Sequence, residues 1–399
     1  MLDYTNILSA TGRNLRANEI RKLTALLGRG DVISFAAGAP SADTFPLAEL
    51  TEIAAEVVRE RGKFALQYGP TRGSSSLIEG IIATMKNRGV TCEASEIMLT
   101  TGSQQGLDLI SRLLIDKGDV ALVELPSYIG GLIALHNAQA DFVGIRQDAG
   151  GIIIDDLRYK LEQAKAAGRR VKCLYTIPNF QNPSGVSLAL NRRQEIAALA
   201  DEFDFLIIED DPYFELHFGE DATDLKPLAA FNPARTIYLS SFSKTLAPGL
   251  RTAWIIAPKE LSAKLELLKE GADLSSSVFD QAIVSEAMRS GMVEKRLPEI
   301  RKFYEVRCQA MLAALDQHAP SGAVWTKPTG GFFIVMELAG AIDTTKLLPT
   351  AIERGVAYVP GQPFYIDGSG ANTLRLAYSK ESPEKISEGI ARLCALLKS

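Results

Sequence analysis

The sequence predicts an α/β protein: a large domain with a mixed, mostly parallel sheet flanked by helices, then a smaller α+β domain. Three observations predict it. Short, near-continuous apolar runs recur along the chain, as strands buried on both faces require. Helical patterns stand between several of them, so successive strands return to one sheet through crossovers. From about residue 285 this alternation gives way to a long helical pattern and shorter strands. The 399 residues suit about two to three domains at roughly 150 residues each, enough chain to bury a large core without staples.

Taken in order, a helix is expected over Asn14–Leu27, ahead of the first strand. Strands are expected at Asp31–Ala36, Ile97–Thr101, Val120–Glu124, Val171–Ile177, Phe205–Glu209, Thr236–Ser240 and Ala253–Ala257. After Gly102, Leu107, Ile110 and Leu114 fall on one face of a helix. Asn191–Phe203 reads as another, preceded by the loop Gln181-Asn182-Pro183-Ser184-Gly185. A long helix over roughly Glu286–Gln317 leads to strands at Gly331–Glu337, Val356–Val359 and Leu374–Tyr378. No internal repeat, low-complexity tract or long Gly/Ser linker interrupts the chain, so tightly packed domains are expected. The boundaries fall at an N-terminal arm and helix (1–45) packing with the small domain, a large domain (46–285) and a small C-terminal domain (286–399).

Composition narrows the function. Hydrophobic residues make up 46%, charged residues 23%, and the net charge is -5, which excludes a disordered chain and argues against a general nucleic-acid binder. A local basic pocket for a small anion stays compatible. Cys92, Cys173, Cys308 and Cys394 form no CxxC pair, so neither a disulfide framework nor a structural zinc site is expected, and a reducing, cytoplasmic setting fits. The three histidines, His136, His217 and His318, make a metal site unexpected. The start Met1-Leu2-Asp3-Tyr4-Thr5 lacks the basic and apolar segments of a signal peptide. The uncharged stretch Leu125–Ala140 is too short and polar to span a bilayer.

Several segments carry chemistry. In Ser240-Ser241-Phe242-Ser243-Lys244, continuing to Pro248-Gly249-Leu250-Arg251, hydroxyls precede a lysine and an arginine follows it. Hydroxyls and a guanidinium suit a phosphate monoester, and a partly desolvated lysine suits Schiff-base chemistry; a solvated surface turn is the alternative. Thr100-Thr101-Gly102-Ser103-Gln104 joins a strand to a helix whose first amides would face an anion; simple helix capping by Ser103 is the alternative. Phe205 to Tyr213 ends an apolar strand in Glu209-Asp210-Asp211-Pro212-Tyr213. Ligands bind beyond the carboxyl ends of such strands, so Asp210 would face the crevice and could hold a pyridinium nitrogen protonated; a solvated acidic turn is the other reading. Asn182 sits in turn chemistry, Tyr128 could be a packed aromatic, and Arg375 alternates with an apolar face, able to clamp a carboxylate or to form an edge salt bridge.

In this order, the motifs Gly-Ser-Gln, Tyr, Asn-Pro-x-Gly, Asp-x-Pro-Tyr, Ser-x-Ser-Lys with its downstream Arg, and a late Arg resemble the fold-type I pyridoxal-phosphate (PLP) aminotransferases of class I/II. The branch is that of the 2-aminoadipate, kynurenine and aromatic aminotransferases. The likeness runs from Ile33-Ser34-Phe35-Ala36-Ala37-Gly38-Ala39-Pro40 to Leu374-Arg375-Leu376. It implies that Lys244 holds PLP as a Schiff base and then carries the proton at the substrate Cα. It also implies that Asp210 pairs with the ring nitrogen, that Asn182 and Tyr213 bond the phenolic oxygen, and that Tyr128 stacks on the ring. Ser103, Gln104, Ser241, Ser243 and Arg251 would hold the phosphate, Arg375 would grip the α-carboxylate, and Gly38 would line the substrate side. Tyr68 resembles a tyrosine that reaches the partner subunit's phosphate, so a homodimer with shared active sites is implied. One departure is Asp211, where relatives often carry Asn; little consequence is expected.

The implied activity moves an amino group from an L-amino acid of the 2-aminoadipate, aromatic or branched-chain type to a 2-oxo acid, with 2-oxoglutarate as acceptor, in a ping-pong cycle. In this branch the N-terminal helix, with Arg13, Arg16 and Arg21, borders the side-chain pocket. Arg21 is the candidate for a distal carboxylate, against the reading of a solvated helix arginine. Another PLP reaction, C–S lysis or decarboxylation, is the alternative, because scaffold does not fix chemistry. A PLP-sensing regulator would need an N-terminal DNA-binding domain, and the Ile33 motif begins too early to leave room for one. Neither GxGxxG nor GxxxxGK[ST] occurs, so a nucleotide-binding enzyme is not expected.

Overall fold

The computed structural model describes residues 4, 6–15, 32–219 and 222–398. Its centre is an eight-stranded sheet in the order β2-β9-β8-β7-β6-β3-β4-β5. The strands are β2 (Ile97–Thr101), β3 (Val120–Leu125), β4 (Asp141–Asp148), β5 (Gly151–Ile152), β6 (Val171–Thr176), β7 (Leu206–Asp210), β8 (Thr236–Ser241) and β9 (Thr252–Ile256). Pairs β3–β4, β3–β6, β6–β7 and β7–β8 are parallel. β9 runs antiparallel to both β2 and β8, so β2 points the same way as the parallel set. Every apolar run expected as a strand of this sheet is one, to within a residue or two at its ends.

Why those runs are continuous is visible on β3. Ala121 and Val123 enter one buried cluster, while Val120 and Leu122 enter the cluster on the opposite face. Side chains alternate across a strand, so a sheet covered on both sides needs apolar residues at every position. β4 was not expected, and its sequence shows why: Asp141, Arg146 and Gln147 interrupt it, and most of its residues keep some exposure. It is held by parallel pairing to β3 instead.

Helices α2 (Leu47–Ala65) and α3 (Ser75–Asn87) precede the sheet, after a short α1 (Ala10–Asn14) and β1 (Ile33–Ser34). Within it lie α4 (Ser103–Leu114), α5 (Ile129–Asn137), α6 (Ile154–Ala166) and α7 (Leu190–Glu202), and α8 (Lys259–Asp273) follows β9. The helix expected over Asn14–Leu27 lies almost wholly outside the described residues; Asn14 closes α1.

The long helix expected from Glu286 is two helices, α9 (Val278–Arg289) and α10 (Met292–His318). Gly291, at φ +69°, separates them, because the left-handed backbone that ends one helix is open to glycine at little cost. Beyond α10, an antiparallel sheet in the order β10-β11-β14-β13 forms from β10 (Val324–Trp325), β11 (Phe333–Glu337), β13 (Val359–Pro360) and β14 (Thr373–Ala377). α11 (Thr344–Glu353) and α12 (Pro383–Leu397) complete this part. β1 pairs with β12 (Val356–Ala357), so the segment around Ile33 joins the C-terminal elements. Among the described residues no helix is long and apolar enough to cross a membrane.

Candidate active site

The carboxyl ends of β2, β3, β6, β7 and β8 border one cavity of about 370 Å³, which Ala36–Ala39 and Arg375 also line. An open α/β sheet places its ligand crevice there.

Asp210 is the last residue of β7. Its Oδ2 accepts a hydrogen bond from the Tyr175 hydroxyl at 2.9 Å, and its Oδ1 is buried with no partner among the described residues. Burial raises its carboxyl to about 7, opposed by the Tyr175 bond. An unpaired buried carboxylate oxygen is costly unless a donor arrives. Lys244 follows the end of β8 and lines the same cavity. Burial lowers its amine to about 8, with Asp210 opposing and Arg251 and Arg375 reinforcing. Its Nζ stands 5.8 Å from the centre of the Tyr213 ring.

Arg375 projects from β14. Its Nη1 donates to Asn182 Oδ1 at 2.9 Å and its Nη2 to the Ala36 carbonyl at 2.7 Å. Its Nε is buried without a partner among the described residues, and its guanidinium carbon lies 4.4 Å from the Phe333 ring centre. Burial lowers it to about 10, so it stays charged at neutral pH. The Asn182 loop is tied down by Gln181, which accepts from the Ser184 amide and donates to the Pro126 carbonyl. Tyr213 meets Phe332 and Phe333 edge-on, and burial keeps its hydroxyl protonated far above the usual phenol range.

At the other end, no side chain caps α4, so its first amides, beginning at Ser103, are directed to the cavity. Arg251 adopts a left-handed backbone, φ +45°, and its Nη2 lies 3.3 Å from the Thr101 carbonyl. The guanidinium rests on Gly102, where a Cβ would stand 1.9 Å from Nη2; only glycine admits it. Gln104 donates to the Gly130 carbonyl at 2.9 Å, and the Ser243 amide donates to Ser241 Oγ at 3.3 Å. Tyr128, at the head of α5, and Gly38 also line the cavity.

One expected site residue does not line this cavity. Tyr68 is 81% exposed and outside this cavity. Arg21 lies outside the described residues. Asp211 points away from the cavity: it accepts from Asn179 Nδ2 at 2.9 Å and from the Tyr238 hydroxyl at 3.1 Å. Arg88 donates to that same hydroxyl at 2.6 Å, so the extra charge at this departure has a buried cation nearby. The reading from sequence missed Tyr175 and the apolar lining residues Leu107, Ile129 and Ile177. A tyrosine inside a largely apolar strand, which needs a polar partner when buried, was the available signal for the first.

The residues present fit PLP. A ring nitrogen would meet Asp210 Oδ1, an aldehyde would meet an amine depressed toward neutrality, and a phosphate would meet Arg251, two serines and a helix N-terminus. Fold and site together define an enzyme of the PLP-dependent, fold-type I kind. Residues 30–393 match the family described as Aminotransferase class I and II, and the chain belongs to that family. It is 41% identical to aromatic-amino-acid aminotransferase 1 of Thermococcus litoralis, over all of this chain and 95% of that protein. The crystal structure of a kynurenine aminotransferase of Pyrococcus horikoshii with PMP is similar at a TM-score of 0.95 and 40% identity, covering 99% of this chain and 98% of that one. An alpha-aminoadipate aminotransferase of Thermus thermophilus, complexed with N-(5'-phosphopyridoxyl)-L-leucine, is similar at 0.90 and 36%, covering 99% and 98%. The chain is a PLP-dependent transaminase.

Proposed function

We propose that this transaminase takes its amino group from an L-amino acid of the 2-aminoadipate, aromatic or branched-chain type and passes it to a 2-oxo acid, with 2-oxoglutarate as acceptor, in a ping-pong cycle. The observation that carries the residue assignment is the unpaired Asp210 Oδ1 in the cavity that holds Lys244. Bound PLP supplies an electron sink for the charge left when Cα loses its proton. Asp210 holds a proton on the ring nitrogen by charge pairing. Lys244 anchors the cofactor and, once displaced, moves the proton at the substrate Cα; its depressed amine suits both tasks. Arg375 grips the α-carboxylate, and Asn182, bonded to it, shares the substrate and cofactor side. Tyr213 bonds the phenolic oxygen and Tyr128 covers the ring. Ser103, Gln104, Ser241, Ser243 and Arg251 retain the phosphate while the lysine is displaced.

Tyr68, from the partner subunit, completes the phosphate site in a homodimer. Its exposure, with that of Leu47, Phe64 and Leu66 along the same segment, supports a covered surface there. The chain divides into an arm (1–45), a large domain (46–285) and a small domain (286–399); pairing of β1 with β12 supports joining the arm to the small domain. Four buried free cysteines suit the reducing cytoplasm.

The leucine and isoleucine side chains of the cavity support apolar donors, as do the aromatic and kynurenine substrates in the relatives' names; the aminoadipate relative supports an acidic one, for which Arg21 is the candidate cation. A panel of amino donors with 2-oxoglutarate tests the reading. Glutamate is expected with at least one of these classes. Pyruvate and ammonia from a β-thioether amino acid added to the panel, with no glutamate from any donor, would mark a C–S lyase. Arg21→Ala is expected to lower kcat/KM for 2-aminoadipate more than for phenylalanine; equal losses would remove Arg21 from the pocket.

A further inference from the structure

Tyr175 is fully buried in β6, next to β7. Its cross-strand partner is Ile208, and Asp210 lies two residues further along the same face of β7, so the two side chains meet on a diagonal. The phenol donates to Asp210 Oδ2 at 2.9 Å and leaves Oδ1 without a partner among the described residues. Helix α5 fixes the ring from the other side: a Cβ at Gly131 would stand 2.3 Å from Tyr175 Cζ. Burial and the charge of Asp210 keep the phenol protonated, so it acts as a donor.

We infer that Tyr175 is the positioning residue of Asp210: by saturating Oδ2 with a donor from beneath, it favours the carboxylate form and commits Oδ1 to the cofactor's ring nitrogen. The inference rests on Asp210 as the partner of that nitrogen. The surroundings give the donor a task. Asp210 is also coupled electrostatically to Asp211, which follows it, to Lys244 after β8 and to Glu124 from β3. Glu124 is itself buried, accepting from Thr176 Oγ1, the Ile177 amide and Gln181 Nε2. Burial and the charge of Asp211 push the proton onto the Asp210 carboxyl; the Tyr175 hydroxyl and Lys244 act against this. A neutral carboxylic acid cannot hold a cation on the ring nitrogen, so losing the phenol returns the proton to Asp210.

Tyr175→Phe removes only the hydroxyl. In the PLP-loaded enzyme, kcat is expected to fall about tenfold, the scale of one charge-assisted hydrogen bond, with donor KM little changed. The pH midpoint of the bound cofactor's absorbance is expected to move. In the cofactor-free protein, the Asp210 carboxyl, followed by carbon-13 NMR, is expected to titrate at higher pH than in the wild type. Tyr175→His keeps a ring donor and is expected to fall between the two; it also serves if the Phe variant does not fold. Unmoved midpoints overturn the inference, even if turnover drops, because packing alone would then explain the loss. Asp210→Asn separates the two claims: if it retains turnover, the assignment of Asp210 itself fails, whereas a collapse there with a wild-type Tyr175→Phe sinks only the role of Tyr175.

Discussion

Asp210 concentrates the physics of the site in one side chain. It is 2% exposed, one oxygen is satisfied and the other waits for a donor. Without cofactor, its carboxyl is raised from 3.8 to about 7. Within that window the folded chain keeps a proton that the unfolded chain has released. Its contribution to stability is therefore full below 3.8 and is lost as pH rises through 7. Cofactor-free wild type is expected to lose melting temperature relative to Asp210→Asn between about pH 4 and about pH 7; parallel curves would contradict the raised carboxyl. In the loaded enzyme the same substitution is expected to cut kcat at least about a hundredfold, as for loss of a preorganised charge. Asp210 was legible because it ends an apolar strand with acids. Tyr175 was hidden inside that kind of run, since its partner is set by strand order rather than by neighbouring sequence.

Among elements, the turn from β2 into α4 shows how backbone makes a binding site. Gly102 has φ +77° and no side chain, so Arg251 lies across it beside the first turn of the helix. Gly102→Ala would push the guanidinium away and strain the turn. PLP affinity of the cofactor-free protein, read by fluorescence titration, is expected to weaken at least about tenfold, the worth of a charged hydrogen bond, with helix content unchanged. Unaltered affinity would mean that Arg251 does not need this approach. The motif itself could be read from sequence, but its contact with a residue on the far side of β8 could not. The break at Gly291 is a similar case: helical periodicity continues on both sides, and a single positive φ decides where one helix ends. β4 escaped notice because pairing, not an apolar run, holds it at the sheet's side.

Across the whole molecule, two sheets converge on one cavity. The large sheet brings Lys244 and Asp210 from neighbouring strands, and the small antiparallel sheet brings Arg375 from more than a hundred residues away. The alternation of strands and helices made the large sheet readable, and the change of pattern near residue 285 announced the second part. Residue spacing alone did not bring the late arginine to the lysine; the family likeness implied it, and β14 closing over the crevice accounts for it physically. The central claim is that PLP is bound covalently by Lys244 in this cavity. Borohydride reduction of the PLP-reconstituted protein, followed by mass mapping of its peptides, tests it most directly: a phosphopyridoxyl group on the peptide containing Lys244 is the predicted result, and a group fixed to a different lysine, or to none, would contradict the account.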